Sequence, residues 1–282
     1  MKLAISSYTF SWGFGTAGYP QPAQPLTPER LIGIAVSFGV STVQIADNAP
    51  LDELDPVRVD ELFARAREEG IALELGTSGT EPDNLLRYLE LATRCGASVL
   101  RSVPKGTVPI GDVEADRAFT DATVASVSSV VDDFEAAGVT LCLENYEGYS
   151  VHSLRRAVDR IASDRVRVCL DSLNSLGRSE GYETVVGALA CVTGNLHVKD
   201  YRARRLDHRL GYLVEGTPAG EGDLPVRSLL RSVPPRVSVV LEQWTPWAGS
   251  IEETTALEMD WARRSVARLA PLVSEADAER AP

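Results

Sequence analysis

The chain has 282 residues, 44% hydrophobic and 24% charged, which is the balance of an ordinary globular protein and excludes a disordered, collagenous or simple coiled-coil chain. Its formal charge of −12 lacks the basic footprint of a protein that grips a nucleic-acid backbone and suits a site for a cation or a small molecule. No apolar run reaches the roughly 18 residues that a membrane helix needs, and the N-terminus lacks a small-residue cleavage site. The expectation is a cytoplasmic protein with no membrane or nucleic-acid partner.

The first strand-like run is Leu3-Ala4-Ile5-Ser6, with Tyr8, Phe10 and Trp12 after it. An internal rhythm follows. Four amphipathic stretches end in Gly39, Gly70, Gly96 and Gly138, and each leads into a strand-like run, at 40–45, 71–75, 97–101 and 139–144. Glycine is favoured just past a helix end because it takes the left-handed conformation freely. Thr27-Pro28 and Asp55-Pro56 place a capping side chain before a proline at the first helical position. Further runs at 166–171, 195–199 and 237–242 complete a set of eight strands alternating with helices. That pattern predicts an α/β fold, a single (β/α)8 TIM barrel over residues 1–271 with a loop insertion at about 200–223 and a frayed tail over 272–282. A doubly wound sheet is disfavoured because no G-x-G-x-x-G turn follows the first strand.

In such a barrel the active site lies at the C-terminal strand ends. Glu144, Asp171, His197 and Glu242 end the last four strands and should share one rim. Three carboxylates with one imidazole suit Mn2+, Mg2+ or Co2+ better than a thiolate-rich zinc site. A divalent cation chelated by a hydroxy-carbonyl unit polarises the carbonyl and stabilises an enediolate, while a nearby carboxylate takes the α-proton. The cysteines, Cys95, Cys142, Cys169 and Cys191, form no C-x-x-C pair and are expected to be buried, reduced thiols. Strand alternation puts Cys142 and Cys169 one layer below Glu144 and Asp171.

Other rim residues are candidate substrate contacts. Lys199 lies one layer above His197, and Gln44, Glu74 and Arg101 end strands two to four, with Asp47 just beyond. Trp12 and Trp244 follow neighbouring strands and could wall the site against water. The segment 201–209 carries Arg202, Arg204, Arg205 and Arg209 together with His208. Guanidinium forks suit a carboxylate or phosphate, so this loop reads as an anion clamp, with an oligomer contact or a solvated loop as alternatives.

The segments Leu143-Glu144-Asn145, Leu170-Asp171-Ser172-Leu173-Asn174-Ser175, Leu196-His197-Val198-Lys199-Asp200, Leu241-Glu242 and the turn Gly220-Glu221-Gly222-Asp223 resemble the sugar phosphate isomerase/epimerase superfamily of xylose-isomerase-like barrels. The resemblance spans nearly the whole chain. It implies a single divalent cation held by Glu144, Asp171, His197 and Glu242, with Glu144 and Glu242 also moving protons on opposite faces of a ketose. Ser7-Tyr8-Thr9-Phe10, Val43-Gln44-Ile45-Ala46-Asp47-Asn48, Glu74-Leu75-Gly76-Thr77 and Val214-Glu215-Gly216 are similar to the 3-oxo-isoapionate decarboxylase group within that superfamily. That group implies loss of CO2 from a 3-oxo sugar acid. Tyr146 stands where the group implies histidine, and is a further candidate contact.

The function expected is therefore a metal-dependent enzyme acting through an enediolate on a small sugar or sugar acid, with decarboxylation of a 3-oxo sugar acid foremost. A ketose 3-epimerase, an aldose–ketose isomerase of the hydroxypyruvate type and a non-catalytic sugar-binding barrel are the alternatives. A homo-oligomer is compatible with all of them. A repair endonuclease on the same barrel would need many more histidines than the three present.

Overall fold

The computed structural model describes residues 1–279. Eight parallel strands close into a barrel: β1 (Lys2–Ser6), β2 (Thr42–Ile45), β3 (Ala72–Ser78), β4 (Val99–Val103), β5 (Thr140–Glu144), β6 (Val166–Asp171), β7 (Thr193–Val198) and, after an antiparallel hairpin of β8 (Asp200–Arg205) and β9 (Tyr212–Thr217), β10 (Ser238–Leu241). Neighbours pair in chain order, and β10 closes the ring between β7 and β1. Every crossover carries helix, which is how parallel strands must be joined. The helices end where the glycines stand, with Gly39 and Gly96 in the left-handed region at φ 67° and 75°. Thr27 and Asp55 accept hydrogen bonds at the helix starts that the sequence marks.

Side chains alternate between the helix layer and the barrel interior. Outward residues such as Ile5, Val43, Leu75, Leu100, Leu143, Leu170 and Leu196 are fully buried under the helices. Inward residues form layers. The lower layer is polar: Gln44 Nε2 donates to Glu74 at 3.2 Å and to Asn195 Oδ1 at 3.1 Å, and Asn195 Nδ2 donates to Glu74 at 3.1 Å and Ser238 Oγ at 2.7 Å. Cys142 and Cys169 lie buried in the interior, and burial pushes both thiols up, so they stay protonated. Cys191 departs from the sequence expectation. It sits exposed in the short turn before β7, beside Arg155 Nη1 at 3.2 Å.

The insertion is organised by one side chain. The buried Asp200 carboxylate accepts from the backbone N–H groups of Tyr201, Gly220, Gly222 and Leu224 at 2.8–3.0 Å. A Cβ on Gly222 would stand 2.2 Å from Asp200 Oδ1, which explains the glycine in that turn. The tail expected to fray from 272 is instead helical. The last helix, Ile251–Ala278, buries Val273 and Ala276, and Asp277 pairs with the N-terminal ammonium, so packing outweighs the polar composition. Residues 280–282 lie outside the described residues.

That helix also carries Glu258, 1% exposed, which accepts from the N–H groups of Trp12 and Gly13 at 2.9 Å each. Burial pushes its carboxyl up to about 8 against the pull of those two donors. An unfolded glutamate titrates near 4.3, so the folded chain favours the protonated form. Its contribution is whole below about pH 4 and is lost as the pH rises toward about 8, at about 1.4 kcal/mol per unit of difference. Urea unfolding across this range should show stability declining with pH in the wild type and a flatter profile in Glu258→Gln. Parallel profiles for the two proteins would refute the assignment.

Candidate active site

At the C-terminal strand ends a cavity of about 510 Å³ opens over the barrel, and Glu144, Lys199, Glu242, Arg101, Asn174 and Tyr8 are among its walls. Asp171, His197 and Glu242 bring ligand atoms within 4.8 Å of one another, as do Glu144, Cys169 and His197. The register explains the convergence: Asp171 is level with His197 across β6 and β7, and Glu144 with Cys169 across β5 and β6.

Local structure fixes each carboxylate. Asp171 Oδ1 accepts from the N–H groups of Leu173 and Asn174 at 2.8 and 2.7 Å, which turns the chain into a 3-10 segment, Asn174–Arg178. The turn aims Asn174 inward, so that its Nδ2 donates to Glu144 Oε1 at 2.6 Å and its Oδ1 accepts from Lys199 Nζ at 3.0 Å. Asn145 ties the same strands together, accepting from Asp171 N at 2.7 Å and donating to Asp171 O at 3.0 Å. Ser172 Oγ bridges to the backbone of Lys199, accepting from its N–H and donating to its carbonyl, both at 2.8 Å. Ser6 Oγ donates to Glu242 Oε1 at 3.1 Å.

Two buried cations stand among these carboxylates. Lys199 Nζ lies 2.8 Å from Asp171 Oδ2 and 2.9 Å from Glu242 Oε2, with 8% of its side chain exposed. Arg101 pairs through Nε with Glu144 and through Nη1 with Asp47 at 2.6 Å, and its guanidinium lies 5.6 Å from the Tyr8 ring centroid. Burial disfavours the charged form of Lys199, but Asp171, Glu242 and Glu144 outweigh it and raise the ammonium above its ordinary value. Burial would likewise raise Glu242, yet His197 and Lys199 hold its carboxyl well below the usual range.

His197 is fully buried, and neither ring nitrogen makes a well-aligned hydrogen bond among the described residues. Nδ1 lies 3.2 Å from Glu242 Oε1 and 3.8 Å from Glu144 Oε2, close to both without bonding to either. A buried imidazole with no partner is costly unless something else uses its lone pair. Three carboxylates with one nitrogen form a donor set that fits a hard divalent cation.

Several sequence-predicted contacts stand elsewhere. Gln44 and Glu74 point inward, but they bond to each other and to Asn195 one layer too deep to meet a ligand in the cavity. Trp12 is buried to one side, donating through Nε1 to Thr245 O at 2.7 Å and packing on Trp247 and Tyr19, while Trp244 and Tyr146 do reach the cavity wall. Arg202, Arg204, Arg205 and His208 ride on the exposed β8–β9 hairpin, and none of them lines the cavity among the described residues. Arg202 instead donates to Glu221 O, Arg204 approaches Glu215 at 3.8 Å, and Arg205 donates to Arg209 O at 3.1 and 3.2 Å. The hairpin pairs with itself and is held at its base by Asp200, and β9 packs at Gly216 against Trp244 of the cavity wall, while the arginines lie on the exposed part. Asn174 and Ser6 were missed as site residues. An asparagine three residues after a strand-end aspartate was a usable turn signal for the first.

A model of the xylose isomerase-like TIM barrel family matches residues 32–265. The 3-oxo-isoapionate decarboxylase of Pectobacterium atrosepticum is 29% identical over 269 residues, covering 94% of each chain. Among solved structures, a D-psicose 3-epimerase determined in the presence of D-fructose superposes with TM-score 0.71 at 13% identity, covering 97% of this chain and 99% of that one. The IOLI protein, which binds a zinc atom, also reaches TM-score 0.71, at 16% identity with 98% and 99% covered. The family match spans most of the barrel, and with the closed eight-strand topology it establishes that the chain belongs to the xylose isomerase-like TIM barrel family.

Proposed function

We propose that the chain is a divalent-cation-dependent decarboxylase of a small 3-oxo sugar acid. The observation that carries this reading is the buried ammonium of Lys199 on the cavity wall, beside a buried Arg101 that is already paired with Glu144 and Asp47. An enediolate charge develops from a neutral ketose and from a sugar acid alike, but only the acid brings a carboxylate that a cation must hold. The similarity to 3-oxo-isoapionate decarboxylase along 94% of both chains supports the same chemistry.

Glu144, Asp171, His197 and Glu242 are the residues that would hold the cation, and the unpartnered His197 nitrogens and the zinc-binding structural neighbour support that role. A bound cation of this kind supplies a Lewis acid for the substrate's keto oxygen. The chain's own residues do the rest. The three N–H groups of Lys199 Nζ face Asp171, Glu242 and Asn174, so one would reach a substrate carboxylate or developing oxyanion only in exchange for one of these partners, as when a bound cation drew on Asp171 or Glu242. Asn174 limits its travel by accepting one of the three. Arg101 is committed to Glu144 and Asp47, so it fixes the Glu144 carboxylate rather than sweeping the cavity. As the C–C bond to the carboxylate breaks, its electron pair passes into the adjacent carbonyl and CO2 leaves. A proton must then reach the α-carbon, and Tyr146, half-exposed on the cavity wall, is the residue we assign to relay it from solvent. Trp244 lines the same cavity.

Purified protein supplied with Mn2+ and a 3-oxo sugar acid should release CO2 and a shortened ketose, and chelation should stop it. Absence of CO2 together with solvent deuterium uptake into a neutral ketose would replace this reading by epimerisation. Lys199→Met should lower kcat/KM for the acid by about tenfold to a hundredfold, the loss of one charge-assisted hydrogen bond of about 1.5–3 kcal/mol.

Cation binding is separable from turnover. At a hundred times its dissociation constant, Mn2+ should stabilise the folded protein by about 2.7 kcal/mol, read as a rise in Tm. Asp171→Asn should abolish that rise. A wild-type Tm indifferent to every divalent cation would remove the metal from the account.

A further inference from the structure

The part of the hairpin that does not line the cavity has the chemistry of an interface. Between 202 and 215 it carries Arg202, Arg204, Arg205 and Arg209 against Asp207 and Glu215, the latter 3.8 Å from Arg204, and so stays net basic on a chain of charge −12. It also exposes apolar side chains: Leu210 is 88% exposed and Tyr212 68%, and Val214 is also exposed. Charge of one sign around solvent-facing apolar side chains is the pattern of a docking surface rather than of a solvated loop.

The complementary surface lies on the same rim. The loop after β4 exposes Ile110 at 73% and Val113 at 78%, and Asp112, Glu114 and Asp116 surround them. Asp116 is paired with Arg156, and Arg178 lines the adjoining small cavity together with Glu180, so Asp112 and Glu114 are what give the exposed loop its negative charge. Residues 109–113 line a small cavity of about 260 Å³ beside these side chains. Pro104, Lys105 and Gly106, just upstream, line the active-site cavity itself.

We propose that two copies of this chain associate face to face through their C-terminal rims, the β8–β9 hairpin of each seated on the 109–114 loop of the other. The hairpin follows β7 and the loop follows β4, so both project from one end of the barrel at separate points of its circumference. A twofold axis lying in the plane of the mouth and bisecting those two directions carries hairpin onto loop and loop onto hairpin at once. This is the self-complementary geometry of an isologous dimer. Basic and apolar residues then meet acidic and apolar ones at both junctions. Because the loop continues from the cavity wall, each hairpin also comes to lie beside the partner's active-site mouth.

Sedimentation velocity of the full chain at micromolar concentration tests this without reference to activity. The wild type should be a dimer that weakens with salt. Leu210→Asp and Ile110→Asp alter exposed positions, and each should raise the dissociation constant at least about tenfold while leaving Tm in place. Mixing the two variants should partly restore association, because the mixed dimer keeps one intact hairpin–loop junction. A monomeric wild type, a dimer indifferent to both substitutions, or one that responds to Leu210→Asp alone would overturn the proposal.

Discussion

Everything at the top of this barrel depends on how one buried ammonium is neutralised. Lys199 stands between Asp171 and Glu242, with Asn174 as its third partner. A charge this deep is costly unless it is paired and hydrogen-bonded, and the penalty would be severe if either carboxylate were lost alone. The turn after β6, the Ser172 bridge to the Lys199 backbone and the Asn145 tie between β5 and β6 all hold that arrangement in register. On the far wall Arg101 does the same for Glu144 and Asp47. The result is a set of buried, paired charges lining the cavity, where small displacements of a ligand's own charge are strongly felt.

The fold supplies the positions and little else. Parallel strands with period-two alternation deliver one inward side chain per strand to each layer. The lower layer, Gln44, Glu74, Asn195 and Ser238, satisfies its polar groups internally and serves as the floor. The upper layer holds buried acidic and basic groups in ion pairs, and its imidazole makes no well-aligned hydrogen bond among the described residues. That contrast is why the proposed chemistry is assigned to the upper layer, with the lower one as packing. The hairpin after β7 is anchored through Asp200, rests at Gly216 on Trp244 and exposes its tip.

The barrel was legible because its signals are local. Glycines past helix ends, prolines at helix starts and short β-branched runs each report on a few consecutive residues, and the strands fall within a few residues of where those signals put them. The upper ring was readable for the same reason, since Glu144, Asp171, His197 and Glu242 sit at strand ends that the pattern locates. Depth was harder. Gln44 and Glu74 have the right parity but stand a layer too low, because the stagger between strands is set by barrel closure and leaves no local trace. The arginines at 202–209 show a related limit. Their charge marks them for recognition, but where they stand relative to the cavity depends on the Asp200 anchor and the Gly222 turn, far along the chain from them. The tail shows packing overriding composition, with Val273 and Ala276 enough to keep a polar segment helical.

The central claim is that the cavity is built for an acid and that Lys199 reads its carboxylate. The most direct measurement is calorimetric binding of a non-reactive sugar acid and of its neutral, carboxyl-free counterpart to the Mn2+-loaded wild type and to Lys199→Met. The account requires the wild type to favour the acid by at least about tenfold, the worth of one charge-assisted hydrogen bond, and the variant to lose that preference while still binding the neutral sugar. Equal affinity of the wild type for the two ligands, or an acid preference that survives the substitution, would contradict it.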